Sequence, residues 1–352
     1  METETQEVQE VARKLATVQK ISALDPIEGA DKIECATVMG WKMVVKKGEF
    51  KVGDLVVYVE IDSWVPYDIA PFLSKGKEPR EYKGVKGERL KTIRLRGQVS
   101  QGLVLSLDDL LLTGVEVGQD LTAMLGIQKW EPFIPANLRG TVKGNFPSFL
   151  IKTDSHRIQA YPDLLDEMAG INCYGSIKLD GTSSTFYNVV EDGEDKFGVC
   201  SRNLDLKRSD DNTYWQMSDK YELDKKLSGK NVAVQAETFG PGIQKNKMGA
   251  SELQIGVFDV FDIEKGCYFD YASLCHFCSC HDLPMVKIVH VGEFYWRSIE
   301  DLIDYANRQR YNNNTISEGV VFRPLVERYS KVLKGRMAFK IISPEFLIKY
   351  GG

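Results

Sequence analysis

The centre of the chain reads Ser176-Ile177-Lys178-Leu179-Asp180-Gly181-Thr182, with a lysine two residues before an aspartate and a glycine directly after it. Lys-x-Asp-Gly alone is short and occurs by chance, so a surface lysine and aspartate beside a turn would be the favoured explanation of it alone. A longer ordered series follows it: Ser201-Arg202-Asn203, Glu237-x-x-Gly240-x-Gly242-Ile243-Gln244, Phe258-Asp259, Glu318-Gly319-Val320-Val321 and Phe339-Lys340-Ile341-Ile342. Such a series is hard to obtain by accident, so the chemistry is expected around Lys178.

The bulk composition is that of an ordinary globular protein. The 352 residues are 43% hydrophobic and 27% charged, a length and composition that suggest two domains with separate cores. No segment approaches the roughly 18 apolar residues of a membrane span. The first ten residues, METETQEVQE, are acidic and have no apolar core, so they are not expected to be a secretory signal. The expectation is therefore an intracellular protein without a membrane segment.

Cysteine usage fits a reducing compartment, because an odd number, seven, argues against a disulfide framework. Three cysteines and two histidines cluster in Cys275-His276-Phe277-Cys278-Ser279-Cys280-His281. Zinc sites usually pair two separated ligand clusters, and no second one is evident. The spacing suits one face of a helix, where cysteine acts as a small hydrophobic residue.

The region up to about residue 121 is rich in predicted strands. Short runs with turn signals between them predict strands at Lys42–Val45, Leu55–Glu60 and Leu90–Arg94. Several short strands at this spacing suggest a small barrel of the oligonucleotide-binding (OB) type. The predicted first domain is therefore an OB-fold-like, RNA-binding domain over residues 1–128.

The region beyond residue 129 mixes helices and strands. Predicted helices are Tyr161–Ala169, Asp270–Cys280 and Ile299–Gln309, and predicted strands are Val232–Glu237, Leu253–Phe261 and Gly319–Phe322. The strands do not alternate strictly with helices, which favours mixed or antiparallel sheets over a doubly wound fold. The predicted class is α+β, with a catalytic domain over residues 129–352 and a proline-containing linker at Trp130–Pro135.

The ordered motifs resemble those of the covalent nucleotidyltransferases, the superfamily of polynucleotide ligases and RNA capping enzymes. The chain is most similar to ATP-dependent RNA ligases of the Naegleria type, in which an OB domain precedes the catalytic domain. The catalytic resemblance covers roughly Phe146 to Lys340. DNA ligases and capping enzymes generally carry their OB domain after the last lysine motif, and here only twelve residues follow Lys340. This order of domains favours an RNA ligase.

The resemblance implies a three-step reaction that seals a 3′-hydroxyl to a 5′-phosphate. A lysine takes AMP from ATP, AMP moves to the RNA 5′-phosphate, and the 3′-hydroxyl then displaces AMP. It implies Lys178 as the nucleophile, Lys340 at the α-phosphate, and a hydrated Mg²⁺ or Mn²⁺ held by Asp180 and Glu318, with nearby cations lowering the pKa of Lys178. The residues expected to bind the nucleotide are Ile177, Asp180, Gly181, Arg202, Glu237, Phe258, Glu318 and Arg157.

Two details of this assignment stay open. The family usually has a second lysine, as Lys-x-Lys, in the last motif, but Ala338 and Ile342 flank Lys340 here. Lys334 or Arg336 could substitute for it. The run Phe258-Asp259-Val260-Phe261-Asp262 also offers two registers, so either Phe258 or Phe261 could stack on the adenine.

A basic stretch is the most prominent charge feature of the first domain. Although the net charge is −5, nine lysines and arginines lie between Lys75 and Arg96, opposed only by Glu78, Glu81 and Glu88. A solvated surface and a contact to a phosphate backbone explain such a run equally well. Given a ligase, the second explanation gains weight, and Lys91, Arg94 and Arg96 become the predicted RNA-binding residues.

Three alternatives remain: a GTP-dependent capping-type enzyme, a non-catalytic RNA-binding protein with the same fold, and a ligase that acts on DNA. The intact Lys178, Asp180, Glu237, Glu318 and Lys340 weigh against a binding module. The predicted partner is RNA with 3′-hydroxyl and 5′-phosphate ends, with a nicked duplex as one candidate form, in RNA repair. No obligate protein partner is evident.

Overall fold

The computed structural model describes residues 14–130, 142–312 and 314–350. The chain divides into two compact units, residues 1–132 and 133–352, called here the N-terminal and catalytic units. The predicted linker lies, beyond Trp130, outside the described residues.

The N-terminal unit is built almost entirely from short strands. Its strands are β1 Ala16–Pro26, β2 Ile33–Val38, β3 Trp41–Lys46, β4 Leu55–Val59, β5 Ser63–Pro66, β6 Arg80–Tyr82, β7 Val85–Arg89, β8 Ile93–Leu95, β9 Gln98–Ser100, β10 Leu103–Ser106 and β11 Gln128–Lys129.

Strand β1 organises this unit by pairing with different neighbours at its two ends. Its first half pairs with β4 and its second half with β2, with a bulge between Ile21 and Ala23. Bulges bend a strand, so one long strand can serve both halves of the five-stranded sheet, in the order β10-β4-β1-β2-β3. Strands β11-β5-β7-β6 form a second sheet. Buried side chains such as Val18, Val57 and Leu121 fill the core.

One predicted strand of this unit is wrong in its bounds. Leu90–Arg94 is not a single strand, because β7 ends at Arg89 and β8 begins at Ile93. Strands β8 and β9 form a hairpin whose two turn residues, Arg96 and Gly97, both have positive φ, +49° and +82°. Two such residues suit a tight hairpin turn, so the chain folds back at Arg96.

The catalytic unit contains fourteen strands among its described residues. They are β12 Val142–Asn145, β13 His156–Arg157, β14 Asn172–Lys178, β15 Thr182–Glu191, β16 Glu194–Cys200, β17 Leu204–Leu206, β18 Val232–Phe239, β19 Gln254–Asp262, β20 Cys267–Tyr268, β21 Ile288–Glu293, β22 Gly319–Pro324, β23 Tyr329–Ser330, β24 Gly335–Arg336 and β25 Phe339–Ile342.

These strands form two main sheets, and the predicted mixed or antiparallel arrangement is confirmed. A seven-stranded antiparallel sheet has the order β12-β17-β16-β15-β18-β19-β20. A five-stranded sheet has the order β13-β25-β22-β14-β21, in which only the β13–β25 pair is parallel. The two sheets are joined directly by the turn between β14 and β15, which carries Asp180 and Gly181.

Six α-helices lie in the described part of this unit: α1 Leu164–Met168, α2 Thr213–Lys220, α3 Leu223–Leu227, α4 Tyr271–Cys280, α5 Ile299–Arg308 and α6 Pro344–Tyr350. Capping residues fix where two of them begin. Asp270 accepts a hydrogen bond from the Ser273 amide, and Ser298 accepts one from the Asp301 amide, as N-caps do. The predicted helix at Tyr161–Ala169 is shorter in the structure, since a 3-10 turn occupies Ile158–Ala160 and α1 begins only at Leu164.

The helices cover one face of each sheet. Helices α2, α3 and α4 pack on the seven-stranded sheet, and α1 and α5 pack on the five-stranded sheet. Helix α5 buries Ile299, Leu302 and Ala306, a helical spacing that forms one apolar stripe. Within the described ranges, no helix has the length and apolar character needed to cross a membrane.

Candidate active site

The register of the five-stranded sheet places Lys178 and Lys340 on the same face. Ser176 lies opposite Val321, and Val321 lies opposite Lys340 on the next strand. Residues in register share a face, and residues two apart on one strand do so too. Lys178, two residues after Ser176 and the last residue of β14, therefore shares the face of Lys340. Arg157, in register with Lys340 on β13, lies there as well.

The opposite face of these strands is apolar. Val320, Phe339 and Ile341 alternate with the residues just named and are fully buried beneath α1 and α5. Ile177 is also buried, and its amide donates to the Lys287 carbonyl at 2.8 Å. The Ile177 side chain thus belongs to the interior, and a contact with a nucleotide would have to come from its carbonyl.

Lys178 is held in an ion pair with Glu318. Its Nζ donates to Glu318 Oε2 at 2.7 Å, with 25% and 17% of the two side chains exposed. Burial on its own lowers the pKa of Lys178, but Glu318, Glu237 and Asp180 together outweigh burial and hold that pKa above its ordinary value. In this state Lys178 is a charged ammonium, contrary to the expectation that neighbouring cations depress its pKa. An ammonium group must lose a proton before it can act as a nucleophile.

Asp180 is also paired with a lysine, and that lysine comes from a distant loop. Asp180 Oδ2 accepts from Lys247 Nζ at 2.5 Å, and both side chains are only 14% exposed. Lys247 lies in the loop after β18, where Gln244, Lys245 and Asn246 all have positive φ. Two ammonium groups and two carboxylates therefore meet beside the end of β14.

Glu237 lies at the junction of the two sheets. Its Oε1 accepts from the Gly181 amide at 3.2 Å. Burial and the neighbouring Glu318 raise the pKa of Glu237 to about 7, although Lys178 acts in the opposite direction. A side chain at position 181 would place its Cβ 2.3 Å from the Thr238 carbonyl oxygen, so only glycine allows this close approach between the turn and β18.

Tyr311 connects Lys178 to Glu318 through the backbone. Its hydroxyl donates to the Lys178 carbonyl at 3.0 Å and accepts from the Glu318 amide at 2.9 Å. The β14–β22 ladder ends at the Lys178–Gly319 pair, so the hydroxyl satisfies two backbone groups just beyond it. Burial, and then Glu318, raise the pKa of Tyr311, which stays neutral.

The remaining predicted nucleotide contacts are less enclosed. Arg202 makes a bidentate pair with Asp154 at 2.8 and 2.9 Å, with about half of each side chain exposed. Phe261 is 3% exposed and belongs to the core beside Tyr187. Phe258 is partly exposed and lies 5.9 Å from the Arg323 guanidinium. The geometry therefore favours Phe258 over Phe261 as a stacking surface.

Arg336 is engaged elsewhere and is a poor substitute for a second lysine. It pairs with Asp259 at 2.8 Å and with Glu327 at 2.5 Å, and its guanidinium lies 3.6 Å from the centre of the Tyr268 ring. Lys334 is exposed at a turn with φ of +52°. The structure thus gives Arg336 a structural role and points to Lys247 as the additional lysine near Lys178.

The acidic residues fit a hydrated divalent cation. Across the described residues, no group of three or more His, Cys, Asp or Glu side chains is arranged to hold a metal ion. Asp180 and Glu318 are nevertheless hard oxygen donors, and each already faces an ammonium group in the ion pairs above. Mg²⁺ is commonly bound through one or two carboxylates and retains several waters, which suits this pair.

The basic stretch of the N-terminal unit is partly neutralised. Arg80 pairs with Glu88, Lys86 with Glu78, and Arg89 with Asp62. Arg94 and Arg96 are exposed on the β8–β9 hairpin, where Arg94 donates to the Gly97 carbonyl at 2.7 Å. Burial, with Arg89 and Arg80, lowers the pKa of Lys91. The nine cations thus do not form one uniform surface. Of the three predicted RNA-binding residues, Arg94 and Arg96 on the hairpin are exposed, whereas Lys91 is partly buried.

Two residues of this site, Lys247 and Tyr311, were not predicted from the sequence. They lie 67 residues after Asp180 and 133 residues after Lys178, respectively. Lys247 lies shortly after Gln244, the last residue of the motif that begins at Glu237, and this closeness was the one signal for it in the sequence. Nothing about the sequence around Tyr311 distinguishes it from a core tyrosine.

Comparison with known families supports both units. A family model described as an OB-fold domain matches residues 15–107, and one described as RNA ligase matches residues 173–342. The predicted OB-like first domain is thereby confirmed. No curated protein sequence matches the chain significantly.

Solved structures match nearly the whole chain. Variants of Naegleria gruberi RNA ligase, one with AMP and manganese and one with ATP and manganese, are each 36% identical with a TM-score of 0.87. Each match covers 96% of this chain and 99% of the other. Naegleria gruberi RNA ligase with pyrophosphate is 37% identical, with a TM-score of 0.85 and the same coverage. The likeness therefore extends over both units.

Proposed function

This chain belongs to the RNA ligase family, and on that basis we propose that it joins RNA 3′-hydroxyl and 5′-phosphate ends through a lysyl-AMP formed on Lys178. It is an ATP-dependent RNA ligase, with ATP and Mn²⁺ or Mg²⁺ as its cofactors. The observation that carries the mechanism is the Lys178–Glu318 ion pair at 2.7 Å, on the sheet face shared with Lys340. A role in RNA repair follows from the ends that it would join.

In the first step, Lys178 attacks the α-phosphorus of ATP. The ammonium loses a proton, the Nζ lone pair forms the N–P bond, and the bond from the α-phosphorus to the bridging oxygen breaks to release pyrophosphate. The negative neighbours Glu318, Glu237 and Asp180 raise the Lys178 pKa, so the free amine becomes available only when their charge is compensated. Charge compensation of these acids is thus coupled to activation of the nucleophile.

Asp180 and Glu318 would hold the divalent cation through water. When bound, this cation neutralises carboxylate charge beside Lys178 and charge on the transferring phosphoryl group. Lys340 and Arg157 share a face with Lys178 and would stabilise negative charge on that group as well. Tyr311 keeps the Lys178 and Glu318 backbones in fixed relative position.

The nucleoside is proposed to contact residues on the neighbouring sheet. Glu237 would accept a hydrogen bond from the ribose hydroxyls, and Phe258 would stack on the adenine. Arg202 would leave Asp154 for a ribose or phosphate oxygen, since a planar guanidinium suits oxyanions. Gly181 allows the close approach of the β14–β15 turn to β18. Because the Ile177 side chain is buried and its amide is hydrogen-bonded, its carbonyl would make the contact with the adenine.

The second and third steps require RNA. AMP passes from Lys178 to the RNA 5′-phosphate, breaking the N–P bond and forming an RNA-adenylate. The 3′-hydroxyl then attacks the 5′-phosphorus, loses its proton and releases AMP. We assign RNA binding by the N-terminal unit to Lys91, Arg94 and Arg96, acting through phosphates with little sequence preference.

The test is RNA joining with defined ends. A nicked RNA duplex with a 5′-³²P-phosphate and a 3′-hydroxyl at the nick is incubated with protein, Mn²⁺ or Mg²⁺ and either ATP or GTP. The expected result is a longer labelled strand with ATP, and none in a Lys178→Ala variant. Joining that survives Lys178→Ala, or that depends on GTP instead of ATP, would contradict the proposal. A duplex lacking the 5′-phosphate is the control for the end requirement.

A further inference from the structure

Lys247 forms the most enclosed of the ion pairs around the nucleophile. Its Nζ is 2.5 Å from Asp180 Oδ2, and each side chain is 14% exposed. The same ammonium group lies 5.3 Å from the ring centre of Phe346 and 6.0 Å from that of Tyr350, both in α6. Lys247 is thus positioned by a carboxylate on one side and by aromatic rings on the other.

This pair cannot persist when Asp180 acts as proposed above. A carboxylate that turns to a hydrated divalent cation gives up its lysine partner, and an enclosed ammonium without an anion is unfavourable. The arriving ligand brings the missing anion, because a nucleoside triphosphate carries several negative oxygens. The exchange leaves every charge paired.

We infer that Lys247 is a phosphate-binding residue of the site, which exchanges Asp180 for the phosphates of the bound nucleotide. The inference rests on the proposed function, because it assumes that ATP binds beside Lys178. It also gives this chain an additional cation where the last motif supplies only Lys340. Lys247 contacts substrate in this account but does not itself form or break a bond.

The loop that carries Lys247 has its own supports. The Asn246 side chain donates to the Ala250 carbonyl at 2.8 Å and accepts from the Ala250 amide at 3.0 Å. Asn312 donates to the Met248 carbonyl at 3.0 Å. Because these bonds do not involve the Lys247 side chain, a neutral residue at position 247 is expected to leave the loop in place.

The experiment measures nucleotide binding without catalysis. The probe is α,β-methylene-ATP with Mg²⁺, whose α–β linkage Lys178 cannot break, and adenosine is the matched ligand without phosphates. Isothermal titration calorimetry compares the wild type with Lys247→Met, Lys247→Arg and the control Lys245→Met, whose lysine is exposed in the same loop. Thermal melting of each variant checks its folding.

We expect Lys247→Met to weaken binding of the methylene analogue about tenfold, or ~1.4 kcal/mol, and to leave adenosine binding unchanged. Lys247→Arg should recover most of the loss, and Lys245→Met should bind like the wild type. An unchanged affinity for the analogue in Lys247→Met, or an equal loss for analogue and adenosine, would overturn the inference. The same wild-type preparation is also incubated with α-³²P-ATP. Covalent label on it would show that the proposed function holds even if the inference about Lys247 fails.

Discussion

The charges around Lys178 and those of the basic stretch at residues 75–96 are organised in opposite ways. Around Lys178, each ammonium group meets a carboxylate at 2.5 to 2.7 Å in a largely enclosed site. In the basic stretch, Lys86 and Glu78 are 3.6 Å apart with 61% and 85% of their side chains exposed. Enclosed charges depend on specific partners, whereas exposed pairs contribute little individually. Single substitutions should therefore have large effects in the first region and small effects in the second.

Apart from Lys178 itself, the largest effect is expected at Lys340. Lys340→Ala removes a cation from the face that carries Lys178, and loss of one preorganised charge contact commonly costs 10²- to 10³-fold in rate. The rate of lysyl-AMP formation should fall at least about a hundredfold. Lys334→Ala, at the exposed turn between β23 and β24, is the matched control and should remain near wild type. A loss of less than threefold in Lys340→Ala would remove Lys340 from the mechanism.

A pH effect on stability is expected from Glu237. Its pKa rises from about 4.5 to about 7 on folding, so between these values the folded state binds more protons than the unfolded state. The stability contribution is fully present below pH 4.5 and is lost as the pH rises through 7. Glu237→Gln should abolish this dependence, which is on the order of 3 kcal/mol for a pKa difference of this size. Urea unfolding at pH 4.5 and pH 8 measures it, and parallel pH profiles for variant and wild type would contradict the assignment.

Tyr311 should have an intermediate effect. Tyr311→Phe leaves the ring in place but removes the hydroxyl that joins the Lys178 carbonyl to the Glu318 amide. We expect adenylylation to slow about tenfold, since both hydrogen bonds of the hydroxyl, to the Lys178 carbonyl and from the Glu318 amide, are lost. Tyr329→Phe, on an exposed side chain, is the control. Single-turnover labelling measures the rate of adenylylation in each variant. Equal rates for Tyr311→Phe and Tyr329→Phe would show that the Tyr311 hydroxyl does not position Lys178.

The smallest effect is expected in the N-terminal unit. Replacing Arg94 and Arg96 together by Ala should weaken RNA binding only several-fold near physiological salt and reduce the salt slope by about two phosphate contacts. Fluorescence anisotropy over a salt series measures both quantities, with Lys32→Ala and Lys47→Ala, two exposed lysines of the same unit, as a paired control. If both double variants lose affinity equally, the hairpin is a solvated surface and not an RNA contact.

The contrast between the enclosed site and the exposed basic stretch also explains which features could be predicted from the sequence. The local motifs contain Lys178, Asp180, Glu237 and Glu318, and the structure brings these four residues together at the β14–β15 junction. Their individual roles remain predictions. Lys247 and Tyr311 reach the site from distant loops, and such contacts depend on how the sheets and loops pack. Local periodicity carries no information about that packing.

The basic stretch shows the opposite difficulty. The sequence shows all nine cations, but it does not show which of them form ion pairs in the folded protein. Arg89 is paired with Asp62 and lies 3.8 Å from the Trp130 ring centre, and neither partner is within the stretch. The strand predicted at Leu90–Arg94 was wrong in its bounds, because this run spans the break between β7, which ends at Arg89, and β8, which begins at Ile93. Composition therefore overstated the uniformity of this surface.

Transfer of AMP from ATP to Lys178 is the step on which the proposed mechanism depends. The most direct measurement is to incubate the protein with α-³²P-ATP and Mn²⁺ or Mg²⁺, without RNA, and to examine the denatured protein for covalent label. We expect covalent label on the wild-type protein with ATP and none on Lys178→Ala. The labelled peptide should contain Lys178. No label on folded protein that does not already carry AMP, or label that persists in Lys178→Ala, would contradict it.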